Sequence, residues 1–138
     1  MTFVDASLAL QKAIIVALKA NTALQGLVGT RIYDNVTPDA QLPYITFGPF
    51  DSIPEDADEY EGSDTTLQID AWSDEVGSVE IKKIGRAIRE AIHNVDLDLD
   101  EDQRLVALTV EVVRYLREPD GITQHVAVTV RARTEPEI

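Results

Sequence analysis

The sequence predicts an α+β domain: an antiparallel sheet of about four strands with helices packed on one face. Three observations carry this prediction. Apolar residues recur near every 3.6 positions in some segments and every second position in others. The strand-like segments come in pairs rather than alternating one for one with helices. And 138 residues at 44% hydrophobic suit one domain, spanning 1–138, with room for a buried core.

The elements follow in order. Residues 3–20 read as a helix, with Val4, Leu8, Ile14, Ile15 and Leu18 near helical spacing and Asp5 and Lys19 placed to suit its dipole. Asn21 or Thr22 caps a second, short helix carrying Leu24, Leu27 and Val28, which stops at Gly29. Residues 30–43, broken by Pro38 and Pro43, read as irregular. Residues 44–50 form a strand with Ile45 and Phe47 on one face, and Pro49 confines its far end to an edge or a bulge.

The stretch 51–64 holds Asp51, Glu55, Asp56, Asp58, Glu59, Glu61 and Asp64 with no Lys or Arg, and reads as a long solvated loop. A strand over 65–73 turns Leu67, Ile69 and Ala71 inward. The clearest helix is 78–93: Ser78 stands at its cap and Ile81, Ile84, Ile88 and Ile92 form the stripe. Its other face carries Lys82, Lys83, Arg86 and Arg89. After an acidic connection at 96–102 comes a strand over 104–116, with Val106, Leu108, Val110 and Val112 on one face. A turn at Glu118-Pro119-Asp120-Gly121 leads into the last strand, 122–133. There Val126, Val128, Val130 and Ala132 face inward, and 134–138 reads as a frayed tail.

Composition narrows the function. Twelve basic and 25 acidic residues give a formal charge of −13, which opposes duplex binding and docking on anionic membranes. Arg114, Arg117, Arg131 and Arg133 could still form a local basic stripe. The chain has no cysteine, which removes disulfides, thiolate metal sites and cysteine nucleophiles. No apolar run approaches the roughly 20 residues of a membrane helix. The first residues lack the basic segment of a signal peptide, so synthesis in a cytoplasm is expected.

No catalytic frame is visible. The two histidines, His93 and His125, have no partner at zinc-binding spacing. Asp96, Asp98 and Asp100 suggest calcium, but counted from Asp96 or from Asn94 the sixth loop position is not Gly and the twelfth is not Glu. Nucleophile elbows and phosphate loops are missing. The expectation is a non-enzymatic protein with no cofactor and no metal site. An enzyme using paired carboxylates and a small ligand-binding regulatory module are the alternatives from other classes.

The order of several short motifs resembles the tail completion or tail terminator proteins of long-tailed bacteriophages and phage-like gene transfer agents. The carriers are Leu24 to Gly29, Arg31-Ile32-Tyr33-Asp34, Leu42-Pro43-Tyr44-Ile45-Thr46-Phe47-Gly48, Trp72-Ser73, and Asp120-Gly121-Ile122-Thr123-Gln124-His125. The resemblance runs from about residue 6 to 133. It implies a structural virion protein of the tail or neck, assembled in the bacterial cytoplasm. The implied form is a ring, commonly a hexamer, that caps the head-proximal end of the tail tube and ends its growth. A head-side connector would dock on the ring, and DNA would pass through its lumen without specific binding. Another neck or head-completion protein is the nearest alternative.

A ring needs two different patches of one chain to meet. The expected pair is the acidic segment, including Ile53 and Tyr60 as apolar contacts, and the basic face of Lys82, Lys83, Arg86 and Arg89.

Overall fold

A computed structural model of the chain describes residues 5–56 and 61–137. The elements are α1 (Ser7–Ala20), α2 (Thr22–Val28), β1 (Ile32–Tyr33), β2 (Tyr44–Asp56), β3 (Glu61–Ser73), α3 (Val79–Ile92), β4 (Gln103–Arg117) and β5 (Gln124–Pro136). Among the described residues the sheet has five strands in the order β1-β2-β3-β5-β4. Neighbours run antiparallel except β1, which lies parallel to β2.

The helices share one face of this α+β sheet. Leu10, Ile14 and Leu18 of α1, Leu24 and Val28 of α2, and Ile81, Ile84 and Ile88 of α3 meet Ile45, Leu67, Ile69, Leu108, Val110, Val128 and Val130 in one core. The two periods of the sequence thus converge on a common layer. Phe47 is partly buried and packs against it. Asn21 supplies the cap of α2, its Oδ1 accepting from the Leu24 N–H at 3.0 Å. Ser78 stands at the N-cap of α3 but makes no capping bond.

Several boundaries differ from the sequence reading. Ile32 and Tyr33, expected to be irregular, form β1. The proposed loop 51–64 is mostly sheet: β2 runs through Asp56 and β3 begins at Glu61, with Asp56 opposite Glu61. Its inward positions are hydroxyls, not hydrocarbons. Ser52 lies 3.1 Å from both Ser7 and Thr65, and Ser63 lies 3.3 Å from Thr65. Hydropathy alternation cannot register such a strand. The proposed bulge at Pro49 is present, as a register shift between Phe47 and Phe50, and the strand continues past it. The expected frayed tail belongs to β5 as far as Pro136, because Thr134 pairs with Ser63 of β3 and with Leu105 of β4.

Strand β4 departs most from simple alternation. Register shifts between Leu105 and Ala107 and between Val110 and Val112 each insert a residue. Val106 and Val112, expected inside, are therefore 47% and 44% exposed. Val113, expected outside, packs against the core. Beyond the second bulge Tyr115 reaches α3, where a Cβ on Gly85 would lie 2.5 Å from its hydroxyl.

The outer edge of β4 is capped at its middle by the residues that follow α3. The Asn94 N–H donates to the Leu108 carbonyl at 2.9 Å, and the Val110 N–H donates to His93 Nδ1 at 3.0 Å.

Candidate interaction surfaces

The end of the sheet formed by β2 and β3 carries the first charged surface. Asp64 and Arg131 stand on neighbouring strands, and the guanidinium donates to the carboxylate from Nε at 2.9 Å and from Nη2 at 2.5 Å. That bond holds the Asp64 carboxyl below its ordinary range and pushes Arg131 upward. Arg133 donates to Glu55 at 2.7 Å, and Arg104 pairs with Glu135. The acidic segment therefore does not depend wholly on cations from outside, as its composition suggested. The basic stripe divides accordingly. Arg131 and Arg133 are matched by carboxylates, while Arg114 and Arg117 make no ion pair among the described residues. Asp51 and Ile53 are exposed, Ile53 at 65%. Asp58, Glu59 and Tyr60 lie outside the described residues, as does the side chain of Asp56.

The exposed face of α3 is the second surface. Lys82, Lys83, Arg86 and Arg89 all point to solvent. Arg86 pairs with Glu90 one turn on, at 3.1 Å, and Lys82 Nζ sits 5.9 Å from the Tyr115 ring centre. Among the described residues no ion pair joins this face to Asp51, Glu55, Glu61 or Asp64. One chain does not bring the two expected patches together.

The third feature lies on the helix-free face and was not singled out from sequence. The His125 ring stacks on Trp72 with centroids 3.8 Å apart and planes 12° from parallel. His125 Nε2 is 2.6 Å from Asp70 Oδ1, and its Nδ1 is 2.9 Å from Glu118 Oε1. Filling both bonds takes two N–H donors, or one with a protonated carboxyl. Gln68 donates to the same Asp70 oxygen at 2.9 Å, and Trp72 Nε1 donates to Thr46 Oγ1 at 3.2 Å. The cluster ties β2, β3 and β5 to the turn after β4. Its carboxylates sit at opposite nitrogens of the ring, so they do not converge on a point where a metal would bind. Among the described residues no group of three or more His, Asp or Glu has the geometry to hold a metal ion.

The short motifs prove to be architectural. Asp120 accepts from the N–H groups of Thr123 and Ile122, each at 2.8 Å, which lowers its carboxyl and shapes the turn. Gly121 takes φ 72° there. Arg31 Nε donates to the Pro43 carbonyl at 2.8 Å, fastening β1 to the start of β2. Trp72 and His125 form the stacked pair.

The sequence and the fold are shared with known proteins. A family model described as Tail completion protein gp17 matches residues 12–135. A chain from the virion of a native gene transfer agent particle shares the fold at a TM-score of 0.88 and 28% identity. The likeness covers 96% of this chain and 99% of that one. No curated protein matches the sequence. The chain belongs to the tail completion protein gp17 family and is a structural protein of the virion tail or neck. Among the described residues no helix is long and apolar enough to cross a membrane.

Proposed function

We propose that copies of this chain close into a ring, a hexamer as is common in the proteins it resembles, at the head-proximal end of the tail tube. The ring ends tube polymerisation, offers the head-side connector a surface, and lets DNA pass through its lumen. It carries out no catalysis and holds no cofactor. The observation that carries this reading is the match to a tail completion family over residues 12–135.

Two physical features support it. The chain presents separate charged patches, the β2–β3 end and the α3 face, that its own fold leaves apart, as a head-to-tail contact requires. Its charge of −13 suits a conduit along which phosphates must slide rather than adhere. Within this reading the acidic segment 51–64, with Asp51, Ile53, Glu55, Asp56, Asp58, Glu59, Tyr60, Glu61 and Asp64, works against the lumen, a neighbouring copy or the next ring. The α3 residues Lys82, Lys83, Arg86 and Arg89 face a neighbouring copy.

Electron microscopy of the purified protein mixed with its tail tube tests this. Capped tubes ending in a ring with a central hole are expected. Particles lacking the chain should show tails of uncontrolled length and unjoined heads. Normal tails joined to heads without it would overturn the reading.

A further inference from the structure

We infer that the groove between α1 and residues 96–100 receives the cationic face of α3 from a neighbouring copy of the same chain. The inference rests on the ring reading and names the contact within it. Helix α1 is apolar around most of its circumference, with only Ser7, Gln11, Lys12 and Lys19 polar. Such a helix is normally enclosed. Yet Leu8 is 53% and Val16 69% exposed.

Beside this face lies a groove of about 420 Å³ lined by Ala13, Val16, Ala17 and Leu97 together with Lys12, Asp96 and Asp98. Asp100, which also lines it, meets Lys12 at 3.3 Å and offsets that cation, whereas Asp96 and Asp98 have no ion pair among the described residues.

Charge selects the occupant. Two copies at −13 repel unless cations of one face carboxylates of the other. Lys19, Arg31, Lys82, Lys83, Arg89, Arg114 and Arg117 make no ion pair among the described residues. Three of these seven share α3, with Val79 beside them 63% exposed. At the β2–β3 end, Asp64 and Glu55 are already held by Arg131 and Arg133. The groove at 96–100 sets unpaired carboxylates beside apolar walls, which matches a cationic helix face that carries an exposed valine. The two surfaces differ, so the contact is head-to-tail and propagates around a ring. Exposed charge pairs set the register, while Val16, Leu97 and Val79 supply the contact area.

The lack of cysteine makes the test clean. The chain carrying both V16C and K83C is assembled on its tube, oxidised, and run without reductant. A ladder of disulfide-linked copies that collapses on reduction is expected. In parallel, D96K/D98K and K82E/K83E/R89E should each lower ring yield at least tenfold, and mixing the two reversals in one chain should restore it. Circular dichroism verifies that each variant folds. Wild-type rings without the ladder, or with either reversal assembling normally, overturn this contact and leave the ring reading standing. No wild-type ring at all overturns both.

Discussion

His125 holds its place through three kinds of contact at once: a stacked indole, the Asp70 carboxylate at 2.6 Å and the Glu118 carboxylate at 2.9 Å. Asp70 is only 6% exposed, so removing the imidazole leaves a buried carboxylate with the Gln68 amide as its remaining side-chain donor. We expect His125→Ala to lower unfolding free energy by about 3 kcal/mol, the cost of stranding one member of a buried pair. Urea unfolding at pH 7 measures it. Adding Asp70→Ala to His125→Ala should recover part of that loss, because the stranded charge goes with it. An effect of His125→Ala below about 0.5 kcal/mol, the ordinary range of surface substitutions, would mean the cluster is decorative. Gly62 is a second sensitive position. A Cβ there would lie 2.8 Å from the Thr134 carbonyl and 3.3 Å from that of Glu55, both backbone atoms that cannot swing aside. Gly62→Ala should cost about 1–3 kcal/mol and speed amide exchange at the β2–β3 end, readable by hydrogen exchange.

At the scale of elements, α3 was legible because its stripe is purely aliphatic and its outer face, Val79 apart, is polar. The paired inner positions of β3 and β5 were legible for the same reason, Leu67 and Ile69 against Val130 and Val128. The outer ends of β2 and β3 were not. Their inward residues Ser52, Ser63 and Thr65 bond one another and read as polar, while their carboxylates find Arg131 and Arg133 about seventy residues later in the chain. Strand β4 was legible as a strand but not in its facing, since no local signal marks where a bulge falls. The Trp72–His125 stack needed the register of β3 on β5, which places those two residues opposite each other. A lone histidine without a partner at metal-binding spacing gives no hint of that in sequence.

For the whole molecule, charge governs both stability and contact with nucleic acid. Asp64 is held below the ordinary carboxylate range by Arg131, Asp120 by the Thr123 backbone N–H, and Asp5 by the Ser7 hydroxyl. A carboxyl lowered in the folded state contributes stability that is complete above its unfolded value near 4 and is lost as pH falls through the folded value. These three groups should leave stability level from about pH 5 upward and erode it below about pH 4. Denaturant titrations across pH 2–7 check this, and Asp64→Asn should flatten the acid limb. An acid limb unchanged in that variant would show that Arg131 pairs too weakly in water to matter. Duplex DNA should bind more weakly than about 100 µM at physiological salt, the weak end of non-specific affinity. Fluorescence anisotropy tests it. Micromolar, salt-sensitive binding would show that Arg114 and Arg117 override the net charge of −13.

The cap on the outer edge of β4 bears on the time before assembly. Under the proposed role, each copy stays unassembled until a tube end is ready to receive it. During that wait a bare strand of fifteen residues would invite stray copies to zip on and build fibrils. His93 and Asn94 occupy the middle of that edge, at Val110 and Leu108, and the bulges interrupt the remainder. Those contacts leave a second copy few free backbone groups to pair with along the middle of the edge. His93→Ala should leave the fold in place and shorten the lag before thioflavin-positive fibrils form in a concentrated solution. An unchanged lag would assign the shelf life to the acidic surface alone.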